Sequence, residues 1–185
     1  EVLERLATAG EFRDDETGEH ARRVGSTAQQ LADAVAADGA TTARIGIAAP
    51  LHDIGKIAIP DSLLLKEGRF TTSEHAVMQR HTSIGADMLA GTSSGLLALA
   101  REIALTHHER WDGSGYPGGL AGDAIPIAGR IVALADVFDA LTHARPYKPA
   151  WRVEDAVEEI TRGRGGQFDP TLVDAFAELD HSALV

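Results

Sequence analysis

The chain of 185 residues contains no cysteine. Disulfides and thiolate metal sites are therefore excluded, a usage that suits the cytoplasm. No run of 18 or more apolar residues occurs, so there is no signal for a membrane-spanning helix. Basic residues are scarce: 17 Lys and Arg stand against 28 Asp and Glu, a formal net charge of −11. That balance argues against a general basic face for long nucleic acid. It leaves room for a small phosphate ligand held by metals and a few local cations. No signal peptide is visible, and the chain starts at Glu1 inside an apparent helix. We expect a piece of a longer protein, the cytoplasmic portion of a multidomain or membrane-anchored one.

What is present fits one domain with a real core. Hydrophobic content is 44% and charged content 24%, ordinary for a globular domain. The pattern is helical nearly throughout. Val24, Ala28, Leu31, Ala32 and Val35 recur at three- and four-residue spacing and predict an amphipathic helix over Gly18–Ala37. Thr41 or Thr42 is the expected cap of a helix reaching His52. Thr71 and Glu74 read as a capping box for one helix to about Leu89. Further helices are expected over Leu96–His107, from Pro126 through Leu141, over Val153–Arg162 and from Asp169-Pro170 to Leu179. Trp111–Asp123 reads as a glycine-rich loop. No segment alternates strictly, so the expected fold class is all-α.

The histidines carry the chemistry. His52 and Asp53 are adjacent in LHDIGK, late on an apolar helix. Glu16 and His20 are four apart and share a helix face. His81 lies on the capped helix, and His107 and His108 end another. Asp136 sits in IVALADVFDAL, where an ionised carboxylate without a partner would be costly; a cation would remove that cost. Five histidines, two aspartates and one glutamate exceed the needs of one ion. Imidazole with carboxylate and no sulfur suits Fe, Mn, Zn, Co or Ni. Asp53 is the natural bridge between two ions, which together would clamp an in-line displacement at phosphorus, with a metal-bridging hydroxide as nucleophile. Lys56 projects from nearly the same face and is expected to bind a phosphate oxygen. His75, His143 and His181 are left as surface or packing residues.

THHERWDGSGYP, residues 106–117, sets two histidines side by side before a loop. Adjacent helical residues diverge by about 100°. Both can serve one cluster only if it is polynuclear or the helix end distorts. Trp111 and Tyr116 are read as loop anchors by packing rather than as stackers on a base.

These motifs, together with RDDETGEHARRV, RHTSIGADML, IPIAGRIVALADVFDALTHARPYK and GGQFDPTLVDAF, resemble the HD-GYP domains, a branch of the HD-domain metal-dependent phosphohydrolases. The resemblance spans about Arg13 to Phe176. It implies a bundle of about seven helices with a GYP loop, with residues 1–12 ending a connecting helix and 13–185 forming the catalytic domain. It implies hydrolysis of the bacterial second messenger cyclic di-GMP to linear pGpG, continued in many members to GMP. His20, His52, Asp53, His81, His107, His108 and Asp136 become the metal ligands, and Glu16 matches the carboxylate of members with a third ion. Two or three divalent ions, iron or manganese, are the implied cofactor. Asp53 and Lys56 take catalytic roles, while Lys56, Arg145 and Lys148 hold the ligand's phosphates. Implied partners are an upstream sensory or receiver domain and diguanylate cyclase (GGDEF) domains docking on the GYP loop. A homodimer stays open. Two alternatives also stay open: the same chemistry on another cyclic dinucleotide such as cyclic GMP-AMP, and a non-catalytic signalling module.

Overall fold

The computed structural model describes residues 2–11, 19–35, 38–144 and 149–185. Among these the chain is all-helical; the one β-type pairing is an isolated bridge between Arg164 and Phe168. The helices are α1 (Val2–Glu11), α2 (Glu19–Ala34), α3 (Gly39–Ala48), α4 (Asp61–Leu64), α5 (Thr72–Gln79), α6 (His81–Met88), α7 (Gly95–Thr106), α8 (Ile127–Thr142), α9 (Val153–Arg162) and α10 (Pro170–Ala177). No helix among the described residues is long and apolar enough to cross a membrane.

Helix α8 is the axis of the bundle. Its sequence is apolar nearly all round, which suits a helix enclosed by others. Ile131, Val132, Leu134, Ala135 and Phe138 are fully enclosed. Helices α2, α7 and α9 pack around it, and α3 packs on α2. Phe138 meets Phe176 of α10 edge-on, with ring centroids 5.2 Å apart. Each such aromatic or Leu side chain contributes about 1.5–3 kcal/mol by leaving water. The polar interruptions Asp136 and Asp139 fall one turn apart on this core helix, and so into the molecule rather than into solvent.

Three helix boundaries differ from expectation. The cap of α3 is Asp38, whose carboxylate accepts from the Ala40 and Thr41 amides; Thr41 donates its hydroxyl to the same side chain. The α-helix stops at Ala48, because Pro50 cannot donate to it, and a 3₁₀ turn over Ala49–Leu51 follows. The expected single helix from Thr71 is two: α5 ends at Gln79, and α6 begins at His81 after the junction at Arg80. The capping box itself is present, with Thr71 and Glu74 each receiving the other's backbone N–H.

The second 3₁₀ turn, Ile54–Ala58, runs hard against α6. A Cβ at Gly55 would collide with the His81 carbonyl and the Gly85 amide. Only glycine allows that approach, and it brings Asp53 beside His81. Helix α1 packs on these same turns, with Ala7 buried and Gly10 against Ile54.

Candidate metal centre

Five elements deliver the site. α2 carries His20 and the turn after the first 3₁₀ segment carries His52 and Asp53. His81 opens α6, and α8 carries Asp136. His107 and His108 follow the last residue of α7, Thr106. His107 keeps a right-handed helical backbone and its amide bonds the Ile103 carbonyl, but the Glu109 amide reaches back only to Thr106, so the last turn tightens; the two neighbouring rings lie 4.1 Å apart and inclined by 41°. Both therefore enter one group of ligands, as a distorted helix end permits.

The side chains form two adjoining groups. Asp53, His81, His107 and His108 each offer a ligand atom, all within 4.8 Å of one another, and His20, His52 and Asp136 do the same. Asp53 Oδ1 stands 3.2 Å from His81 Nε2 and 3.6 Å from His107 Nε2, while its Oδ2 is 3.3 Å from His52 Nε2. His52 Nε2 lies 3.9 Å from Asp136 Oδ1, which is 3.3 Å from His20 Nε2. Asp53 thus faces both groups with different oxygens.

The hydrogen bonds orient the rings. His52 directs Nδ1 at the Ala49 carbonyl (2.9 Å), His81 at Met78 (2.7 Å), and His107 at Ile103 and Ala104 (both 3.1 Å). With the proton on Nδ1, each Nε2 lone pair points inward. The Nε2 atoms of His52, His81 and His107, and Asp53 Oδ1, are buried without a hydrogen-bond partner. Four converging buried acceptors without donors are costly, and a divalent cation answers all of them. The donor set therefore fits a divalent metal centre of imidazole and carboxylate.

The electrostatics agree. Burial lowers His107 and lowers His108 well below the ordinary imidazole value, so both stay neutral donors. Burial would raise Asp53, yet Lys56 and His52 hold it well below the usual carboxylate range. Burial likewise opposes ionisation of Asp136, but the neighbouring His20 and His52 hold its carboxyl below the ordinary range. At His52 burial opposes protonation, but the carboxylates of Asp53 and Asp136 leave it raised.

Lys56 Nζ pairs with Asp53 Oδ2 at 2.8 Å. Beside the ligands opens a cleft of about 280 Å³ lined in part by Gln79, His108, Arg110, Tyr116, Asp136 and Gln167. Tyr116 lies over His108, with centroids 4.8 Å apart, so it borders the site rather than only bracing the loop. Trp111 has the packing role: Arg130 sits 5.5 Å from its ring. Gly115 folds against residues 108–110, where any Cβ would strike backbone. Glu16, Arg145 and Lys148 lie outside the described residues.

Two residues went unread in the sequence. Asp139 binds His20, Arg23 and His143; its only signal was its place one turn after Asp136. Glu109, 4% exposed, accepts from the Gly118 and Leu120 amides at 2.7 and 2.9 Å and so staples the loop. Of the histidines set aside, His75 is exposed at the cleft, His181 packs on Phe176, and His143 contacts Asp139.

Among known proteins, residues 5–172 match the HD domain family. The chain is 50% identical over 175 residues to the cyclic di-GMP phosphodiesterase response regulator RpfG of Xanthomonas campestris, covering 95% of this chain and 46% of that protein. It is 47% identical over 178 residues to the 3′3′-cGAMP-specific phosphodiesterase 2 of Vibrio cholerae, covering 96% and 34%. The solved structure of Bd1817, an HDG"Y"P protein from Bdellovibrio bacteriovorus, superposes with a TM-score of 0.67 at 20% identity, over 84% of this chain and 49% of that one. The chain thus spans about half the length, or less, of these proteins.

Proposed function

The chain belongs to the HD domain family, and on that premise we propose that it is of the branch that carries the GYP loop and hydrolyses cyclic di-GMP to linear pGpG. The same site is then open to cut pGpG to GMP. The cofactor is two or three divalent ions, iron or manganese, the third depending on Glu16. The observation that carries this reading is the convergence of the buried, donorless Nε2 atoms of His52, His81 and His107 on the Asp53 carboxylate, His52 facing Oδ2 and the other two Oδ1. When bound, the ions supply a water nucleophile active at neutral pH and neutralise charge on the phosphate.

The residues supply the rest. His20, His52 and Asp136 would hold one ion, and Asp53, His81, His107 and His108 its neighbour, with Asp53 serving both. Lys56, 18% exposed and paired with Asp53, orients that carboxylate and is the cation assigned to a phosphate oxygen. Arg145 and Lys148 are assigned the second phosphate. The cleft along Tyr116, Gln79 and Gln167 is where the rest of the nucleotide lies.

The purified domain, loaded with Mn²⁺ and given cyclic di-GMP at neutral pH, should yield pGpG or GMP. Intact cyclic di-GMP with the metal still bound would sink the reading. A second substrate has support, because a relative 47% identical is named for 3′3′-cGAMP. Hydrolysis of both dinucleotides side by side decides between them.

A further inference from the structure

His20 differs from its neighbours in what holds its ring. His52, His81 and His107 direct Nδ1 at backbone carbonyls. His20 directs Nδ1 at a carboxylate, Asp139 Oδ2, at 2.6 Å. Its Nε2 meets a second carboxylate, Asp136 Oδ1, at 3.3 Å. Asp136 and Asp139 are three residues apart on α8, so one face of one helix grips both nitrogens of the ring. α2 answers with the same spacing, since Arg23 follows His20 by three.

Arg23 completes the clasp. Its Nε lies 2.5 Å from Asp139 Oδ1 and its Nη2 lies 3.1 Å from Oδ2. His143 Nδ1 stands 3.1 Å from Oδ1. Asp139 is 3% exposed, and both its oxygens are engaged. It cannot swing toward the ligands without breaking these contacts. Burial opposes its ionisation, but the His20 and Arg23 hydrogen bonds keep its carboxyl below the ordinary value.

We propose that Asp139 is a positioning residue that locks His20 as an Nε2 ligand and selectively tightens the ion held by His20, His52 and Asp136. The neighbouring ion, held by Asp53, His81, His107 and His108, gains nothing from it. A carboxylate acceptor on Nδ1–H fixes the tautomer and makes Nε2 a stronger donor than a carbonyl acceptor does. Arg23 balances the added negative charge and holds Asp139 out of the coordination sphere. The two halves of the centre are therefore unequal in affinity. The proposal rests on the metal-dependent reading above, but not on the identity of the substrate.

The test uses the intact domain with Zn²⁺ as a diamagnetic probe. Nitrogen-15 spectra of the wild type should place zinc on His20 Nε2 and a protected proton on Nδ1. Chelator competition should show one bound ion weakened roughly 10- to 100-fold in Asp139→Ala, with the other unchanged. Asp139→Asn keeps an oxygen acceptor for Nδ1–H and should fall between the two. A purely structural clasp would leave both affinities alone or weaken them together, and either result overturns the proposal. Zinc on His20 Nδ1 would overturn it as well. If Asp139→Ala does not fold, Asp139→Asn and the wild-type spectrum carry the test. A wild type that splits its ions as expected but cleaves no cyclic dinucleotide would refute the proposed function and leave this inference standing.

Discussion

Lys56 Nζ lies 2.8 Å from Asp53 Oδ2, the same oxygen that faces His52 Nε2 at 3.3 Å. The lysine thus reaches the carboxylate from outside the ring of histidines. It helps keep Asp53 ionised. Lys56→Ala should keep its metal, because none of the imidazole ligands moves. Turnover should fall by roughly 10- to 150-fold, the worth of a hydrogen bond to a charged group at about 1.5–3 kcal/mol. Metal analysis beside kinetics checks both halves, and loss of metal in this variant contradicts the role.

Asp53→Ala has a different expected signature. It removes a side chain that faces both groups of ligands. Hydrolysis should vanish, and metal content should drop rather than hold. Asp53→Asn keeps the shape but not the charge and should retain at most part of the metal. A variant that keeps full metal and measurable turnover would show that Asp53 is no bridge.

Much of this centre was legible in the sequence because of cost. A carboxylate in an apolar helix, as at Asp136, and repeated histidines at helix ends demand partners, and the need is visible before the partner is. Asp139 escaped for the converse reason. It reads as another acid on α8, and its meaning depends on His20, which is 119 residues away in sequence. Glu109 reads as a solvated acid in HHERWD until the loop folds over it. The break at Arg80 was hidden because Thr71–Leu89 carries no proline to mark it; α6 packs on the Ile54–Ala58 turn, which lies far back in the sequence. The Asp38 cap lost to Thr41 on paper because both residue types cap helices and differ by three positions.

Glu109→Ala should destabilise the fold and free the loop. Its carboxylate accepts two backbone N–H groups in a buried place, and their loss should lower unfolding free energy by about 2–4 kcal/mol. Urea unfolding measures that figure. Hydrogen exchange at Gly118 and Leu120 should accelerate more than in the helices. Unchanged exchange at those amides would mean that the loop is held by other contacts.

Acid should act on the α5 cap in a definite window. Glu74 accepts from Lys66 and the Thr71 amide, and these bonds hold its carboxyl at about 2, below the ordinary 4.5. A depressed folded value means stability that is present above the ordinary value and lost as pH falls through the folded one. Glu74→Gln should therefore lower the melting temperature near neutrality. The gap from wild type should shrink below about pH 4.5 and close near pH 2. A gap that widens on acidification would reverse the sign and remove this cap from the account.

Gly115→Ala tests whether the loop's path belongs to the site or only decorates it. A Cβ there would collide with the Arg110 amide, the Glu109 Cα and the His108 carbonyl. These are backbone atoms, so no rotamer relieves the clash and the segment must move. Tyr116 N donates to the His108 carbonyl at 3.1 Å, and its ring lies over the His108 ring. A shift at Gly115 therefore displaces Tyr116 from the cleft and pulls on a ligand. Helix content should stay as in wild type, since the loop lies between α7 and α8. Activity should fall at least tenfold, with KM and kcat both affected, because one movement disturbs both the cleft wall and His108. Wild-type kinetics in a folded Gly115→Ala protein would mean that the loop's close return beside His108 plays no part in the reaction.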